Sequence, residues 1–241
     1  MTLSDREKEI YSRQLLVPEW DQEKLKGAKA VIVGMGGIGS SSSLYLTAAG
    51  IGKLRLCDGD RIERSDLNRQ ILFNGKSVGK LKVNEAMQRL ISLNPYVEIE
   101  TISDFMNEQN AERIVKDSDI IIDGLDNNES RFTLNKLSVS NQIPYVYGAV
   151  HGWEGFVGLF NPPHTACLAC FLDRDVQKVD VIPVSGLLPG IIGLIQASEA
   201  VKFLMGIERN LEGHLFVYDS QNLTFDIIEI EKNSNCPFCS T

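Results

Sequence analysis

A chain of 241 residues that is 43% hydrophobic can bury a sizeable core, as one large domain or two small ones. Its net charge of −8 excludes a generic nucleic-acid binder, which would carry a basic stripe, and suits a soluble enzyme with an acidic surface open to a basic protein partner. The first nine residues are charged and lack an apolar signal core, and the longest apolar stretch, 186–197, is interrupted by glycine and proline and is shorter than the ~20 residues of a membrane span. A reducing, cytoplasmic location with no membrane association is therefore expected.

In chain order, residues 1–26 read as a charged helical arm, broken by Pro18, with Tyr11, Leu15 and Leu16 as docking points. Ala30-Val31-Ile32-Val33 is a β-branched run of the kind buried in parallel sheets. A glycine turn follows at once, then a small-residue helix over 40–49 closed by Gly50. Strands are predicted at 54–58, 97–102, 120–123 and 144–147, with helices at 80–93, 108–116 and 129–142 between them. From Gly155 the pattern changes: 155–160, 213–218 and 224–230 look like antiparallel strands around one strong helix at 191–205. The alternation predicts an α/β fold, a Rossmann-like, mostly parallel sheet with helices on both faces and antiparallel strands toward the C-terminus. No linker separates domains, so one continuous domain over 1–241 is expected, with an arm at 1–26, a nucleotide-binding half at 27–150 and a second half at 151–241.

Gly34-x-Gly36-x-x-Gly39 lies where a dinucleotide-binding turn belongs, after a strand and opening a helix. Absent side chains let the backbone approach phosphates, and the helix N-terminus offers free N–H groups to an anion. Asp58, at the end of the second strand, is placed to bind ribose hydroxyls. To this point a nicotinamide enzyme fits equally well. Arg69 and Lys82 then shift the balance toward a triphosphate, whose charge two nearby cations would neutralise. Asp126 and Asn127 stand just past the fourth strand, in the crevice at the carboxyl ends of the sheet, and a carboxylate facing a triphosphate calls for magnesium between them. Taken singly, Arg69 and Lys82 could be solvated surface and Asp126 a helix N-cap.

Two Cys-x-x-Cys knuckles, Cys167/Cys170 and Cys236/Cys239, supply four thiolates at the spacing of a tetrahedral zinc site. Such a site would pin the C-terminus back onto the body. Two disulfides or buried free thiols are the competing readings, and a reducing compartment favours zinc. Cys57, left over, reads as a small buried hydrophobe.

The whole set resembles the HesA/MoeB/ThiF adenylyltransferases, the sulfur-carrier activators of molybdopterin and thiamine pathways and relatives of the ubiquitin-activating enzymes. The matching pieces are Arg13-Gln14, the glycine loop, Asp58-x-Asp60, Leu67-Asn68-Arg69-Gln70, Gly79 with Lys82, Asp123-x-x-Asp126-Asn127 with Arg131 and Asn135, and both knuckles. The resemblance implies an ATP- and magnesium-dependent reaction. The C-terminal carboxylate of a ubiquitin-like sulfur-carrier protein ending in Gly-Gly attacks the α-phosphate, giving an acyl adenylate and pyrophosphate. It also implies that Gly37 contacts the nucleotide, Asp58 the ribose, Arg69 and Lys82 the phosphates and Asp126 the magnesium. Asp60, Asp66, Asn68 and Asn127 belong to the same site, and Arg13 reaches the triphosphate from the other subunit of a homodimer.

Two departures stand out. Asp66 occupies a position where the family usually has asparagine, and its charge would weaken ATP binding unless it faces ribose, magnesium or a cation such as Arg64. Residues 171–190 contain no cysteine, so no covalent thioester is expected and a separate sulfurtransferase would supply sulfur. The alternatives are a peptide-activating adenylase, an NAD-dependent oxidoreductase and a binding module without chemistry. The oxidoreductase leaves Arg69, Lys82 and the knuckles unexplained, and His151, His164 and His214 are scattered singly.

Overall fold

A computed structural model describes residues 2–173, 183–208 and 211–240. Eight strands form one sheet in the order β3-β2-β1-β4-β5-β6-β7-β8. They are β1 (Lys29–Val33), β2 (Lys53–Cys57), β3 (Glu98–Ile102), β4 (Ile120–Asp123), β5 (Tyr145–His151), β6 (Glu154–Phe160), β7 (His214–Asp219) and β8 (Thr224–Glu229). The first five pair in parallel, and β5 to β8 pair antiparallel. The expected Rossmann-like sheet with an antiparallel C-terminal part is what the chain forms.

Because strand side chains alternate, the apolar runs serve two cores at once. Ala30 and Ile32 of β1 and Ile120 and Ile122 of β4 enter one core, and Val31, Val33 and Ile121 enter the other. Helices α3 (Gly37–Ala49), α4 (Lys82–Leu93) and α7 (Leu188–Met205) cover the first face. Helices α5 (Ala111–Val115) and α6 (Asn128–Asn141) cover the second. The serines of α3 are explained by its neighbour α7. A β-carbon at Gly193 would fall 2.4 Å from the Ile38 carbonyl oxygen, so the two helices touch backbone to backbone. Ser41 Oγ donates to Gly190 O at 2.7 Å and Ser42 Oγ to Gln196 Oε1 at 2.9 Å, which satisfies the hydroxyls buried by that contact.

The structure departs from the sequence reading in the arm and in the length of the apolar helix, as well as at some element ends. The arm is two short helices, α1 (Asp5–Ile10) and α2 (Gln22–Gly27), separated by a 3-10 turn at Gln14–Leu16. Tyr11 docks as expected, its hydroxyl accepting from Asn94 Nδ2 at 2.8 Å, but Leu15 and Leu16 are exposed. Finally, α7 runs well beyond the 186–197 stretch and is long and apolar enough to cross a membrane by length and composition alone; here it packs into the core through Ile192, Ala197 and Ala200.

Candidate active site

A cleft of ≈ 2130 Å³ opens at the carboxyl ends of β1, β2 and β4. At its base the chain turns from β1 into α3. Gly34 has φ 92°, and a β-carbon there would sit 2.4 Å from Gly124 O. One at Gly39 would lie 2.0 Å from Gly34 O. These two glycines bring the turn against β4 and fold the helix onto it. Gly36 is different: a β-carbon there would meet only Gly124 O, at 3.9 Å, so its missing side chain leaves open space in the cleft. Gly36 is the N-cap of α3 and no side chain caps the helix. Its first-turn N–H groups are therefore available to an anion.

Asp58 closes the turn from the end of β2. Its Oδ2 accepts from Met35 N at 2.7 Å and its Oδ1 from Asp60 N at 2.7 Å. Burial pushes the carboxyl up, against these two amides and the charge of Lys82. Lys82 is brought in by a short ladder in which Ile62 N donates to Lys80 O and Lys82 N to Asp60 O. The residue is 6% exposed and its ammonium lies 2.9 Å from Asp60 Oδ2. Burial works to lower the ammonium, but Asp58, Asp60 and Asp66 outweigh it and hold Lys82 above its ordinary range.

Arg69 follows a 3-10 turn at Arg64–Asp66. Its guanidinium donates to Ser65 O at 2.8 Å and Asn68 Oδ1 at 3.0 Å, and Nη2 lies 3.4 Å from Asp66 Oδ1. Asp66 is buried, accepting also from Glu63 N at 2.9 Å and Gln70 Nε2 at 2.8 Å. The cation that faces it is thus Arg69, not Arg64. Its charge is matched within the protein.

On the opposite wall, α6 is capped by Asn127, whose Oδ1 accepts from Ser130 N at 2.9 Å. Asp126 is therefore not the cap. It is exposed toward the cleft, with Asn127 Nδ2 3.4 Å away. Beneath it Asp123 is fully buried and accepts from Leu125 N at 2.8 Å, Arg131 Nε at 3.0 Å and the Tyr145 hydroxyl at 2.7 Å.

Gly34, Gly36, Gly37, Asp58, Asp60, Asp66, Asn68, Arg69, Lys82, Asp126 and Asn127 all line this one cleft. Gly39 supports it from behind, and Arg13 is exposed on the arm, outside the cleft of its own chain. The sequence reading missed Phe105 and Pro189. Phe105 is 62% exposed beside the cleft, and its ring stands where a β-carbon at Gly59 would fall 2.7 Å away. Its signal was an aromatic residue within a polar loop. Pro189, in the first turn of α7, backs on Gly37, and no local pattern announces that contact.

The four thiols of Cys167, Cys170, Cys236 and Cys239 gather with all Sγ atoms within 4.8 Å of one another. The Cys167–Cys236 and Cys170–Cys239 separations are 3.6 and 3.4 Å, close to the edge of about 3.8 Å that ~2.3 Å bonds give in a tetrahedron. All five cysteines are free thiols. Asn135 of α6 fastens the cluster, its Oδ1 accepting from Leu168 N at 2.9 Å. The donor set and its spacing fit zinc, and the C-terminal knuckle is held against the body as the spacing implied.

A doubly wound sheet with a glycine turn, a half-buried acid and two cations lining one crevice is the frame of an α/β enzyme of the nucleotide-binding type, here with a four-thiol centre attached. The chain belongs to the ThiF family, whose profile matches residues 11–238. It is 34% identical to the "Sulfur carrier protein adenylyltransferase" of Thermus thermophilus, over 99% of this chain and 93% of that one. It is 37% identical to a "Probable molybdopterin-synthase adenylyltransferase" of Gracilaria tenuistipitata, over 97% and 68% of the two chains. Among solved structures, E. coli MccB with AMPCPP and MccA superposes with a TM-score of 0.82 at 25% identity, covering 90% of this chain and 68% of that one.

Proposed function

We propose that the chain is an ATP-dependent adenylyltransferase that activates the C-terminal Gly-Gly carboxylate of a ubiquitin-like sulfur carrier. The observation that carries this reading is that Arg69 and Lys82 line the same cleft as the uncapped start of α3 and Asp58. Two cations beside a helix N-terminus match a triphosphate better than a dinucleotide.

In this reading Asp58 receives the ribose hydroxyls, and the phosphates lie over Gly36 and Gly37 against the first turn of α3. The carrier carboxylate attacks the α-phosphorus, the new acyl–phosphate bond forms, and the bond from that phosphorus to the bridging oxygen breaks, so that pyrophosphate leaves. Arg69 and Lys82 keep their charge throughout and stabilise the negative charge that accumulates on the phosphate oxygens. Asp126, free of any capping role, would hold magnesium, which neutralises the polyanion on binding. The thiol cluster would hold a structural zinc ion.

Arg13, exposed on the arm, would serve the cleft of a second copy in a cytoplasmic homodimer. The stretch 171–190 has no cysteine and lies in part outside the described residues; on its composition the product is released as the adenylate, and a sulfurtransferase supplies sulfur in a later step. The likeness to MccB favours a small precursor peptide as a second class of acyl donor.

The test is exchange of labelled pyrophosphate into ATP, with magnesium, in the presence of Gly-Gly-ending carriers encoded in the same genome. Exchange that requires one carrier and disappears when its terminal glycine is removed is the expected result. Exchange with short peptides but no carrier would select the second class. Absence of exchange with either, from folded protein, would overturn the reading.

A further inference from the structure

The most heavily buried carboxylate among the described residues, Asp123, is not among the groups assigned to the nucleotide, and its partner is Arg131. Asp123 is 0% exposed and Arg131 is 7% exposed, at the junction of β4 and α6. An ion pair largely taken out of water is a poor stabilising device, because desolvation offsets the attraction. Its hydrogen bonds show what it holds. Asp123 Oδ1 accepts from Leu125 N at 2.8 Å, while Arg131 Nη2 donates to Leu125 O at 2.6 Å. Both polar groups of the residue before Asp126 are thus gripped by one ion pair.

The remaining donors extend the frame. Arg131 Nη1 donates to Asn128 Oδ1 at 3.3 Å and Nη2 to Gly148 O at 3.1 Å on β5. The guanidinium lies 5.3 Å from the Tyr147 ring centroid, and the Tyr145 hydroxyl anchors Asp123 from the same strand. On the far side Asn127 is fixed as the cap of α6. Asp126 therefore sits between two immobilised residues and projects a carboxylate whose nearest polar neighbour is a weak contact at 3.4 Å. A rigid backbone carrying an uncommitted carboxylate is the arrangement a cation ligand requires.

We infer that Asp123 and Arg131 are positioning residues that aim the Asp126 carboxylate at a divalent cation on the nucleotide phosphates. This rests on the assignment of Asp126 to magnesium made above. In this assignment neither residue is itself a ligand of nucleotide or metal. Arginine is required because one planar guanidinium spans Asp123, Leu125 O, Gly148 O and Asn128 together, which a lysine ammonium cannot do.

The experiment measures Mn²⁺ affinity of the ATP complex by electron paramagnetic resonance, with ATP affinity in the absence of metal measured alongside. Wild type, Asp126→Asn, Arg131→Lys and Tyr145→Phe are compared. Arg131→Lys should weaken Mn²⁺ by roughly tenfold, as loss of a group supporting a metal ligand does, and leave metal-free ATP affinity within about twofold. Tyr145→Phe, which releases one anchor of Asp123 without altering charge, should weaken Mn²⁺ by less than Arg131→Lys does but measurably, and supports or refutes the inference if Arg131→Lys does not fold. Weakening in Asp126→Asn with none in the two supporting variants would overturn the inference and leave Asp126 as the ligand. No weakening in Asp126→Asn would remove the ligand assignment and the inference together. Equal losses of Mn²⁺ and metal-free ATP affinity in Arg131→Lys would show a general collapse of the cleft, which also overturns it.

Discussion

Replacing Lys82 by methionine separates charge from packing in this cleft. Methionine keeps the aliphatic stem and removes the ammonium that lies 2.9 Å from Asp60. Although burial opposes the charge, Asp58, Asp60 and Asp66 hold Lys82 above its ordinary range, so wild type presents a full positive charge at neutral pH. Two unit charges at 4 Å and an effective dielectric of about 20 attract by ~4 kcal/mol. Lys82 must exchange Asp60 for a phosphate oxygen when ATP arrives, so the net loss is smaller, about 2–4 kcal/mol. That is roughly 30- to 1000-fold in kcat/KM.

Stability should barely change. The Asp60 side chain is half exposed, which limits the pair to ~1 kcal/mol, and a lysine opening α4 opposes the helix dipole. The linkage has a definite sign: a folded value raised above the unfolded one gives stability present below the unfolded pKa and lost as pH rises through the folded value. The wild-type stability curve should therefore bend downward in the alkaline range above about pH 10, and that part of the bend should be absent from Lys82→Met. Pyrophosphate exchange gives the activity and calorimetry the midpoint. A variant within threefold of wild-type kcat/KM, with an unchanged midpoint, would refute the phosphate assignment.

The two kinds of glycine give opposite outcomes. Gly36→Ala has room for its β-carbon in the fold but intrudes on the cleft, so it should keep the wild-type midpoint and lose ATP binding by titration calorimetry; Gly39→Ala, meeting Gly34 O at 2.0 Å, should lower the midpoint by several degrees. Purified protein should contain one zinc per chain by atomic emission. Cys236→Ala should lose it with a drop of about 10 °C, at roughly 2–4 °C per kcal/mol for a chain of this size. Metal-free wild type would remove the zinc reading. Arg13→Ala and Lys82→Met should each be inactive, but subunits remixed at equal ratio should recover about a quarter of wild-type activity, because each mixed dimer holds one intact site. No recovery would place Arg13 outside the reaction.

The parallel half of the fold was legible because its strands are short, continuous apolar runs, as in Ile120-Ile121-Ile122-Asp123, whose two faces feed two cores. Element ends were less so. The helix expected at 108–116 begins at Ala111, because Asn107 Oδ1 accepts from Gln109 N and Asn110 N and holds the chain in a turn. The strand expected to stop at Tyr147 continues to His151 through Gly148, a residue that ordinarily weakens a strand. The cause lies 48 positions away in α7: a β-carbon at Gly148 would fall 2.3 Å from Gln196 Nε2, the amide that bridges Asp123 O and Val146 O. A contact of that range leaves no trace in a local window.

The candidate site was legible in the order of its residue types, a glycine turn, an acid, two cations and a second acid, and the fold adds that three of its features break local rules. Lysine is misplaced in the first turn of a helix, a helix start without a capping side chain is incomplete, and an acid beside a better cap, Asn127, has no structural task. A polyanion with its cation, as proposed above, would resolve all three. Asp66 shows the limit of such reasoning. Read alone, its charge should repel phosphate; in the fold it is spent on Glu63 N, Gln70 and Arg69. A carboxylate so occupied restrains the arginine instead of opposing the ligand. The penalty that the sequence suggests for ATP binding should therefore be small, with Asp66→Asn changing ATP affinity less than loss of the Lys82 charge does.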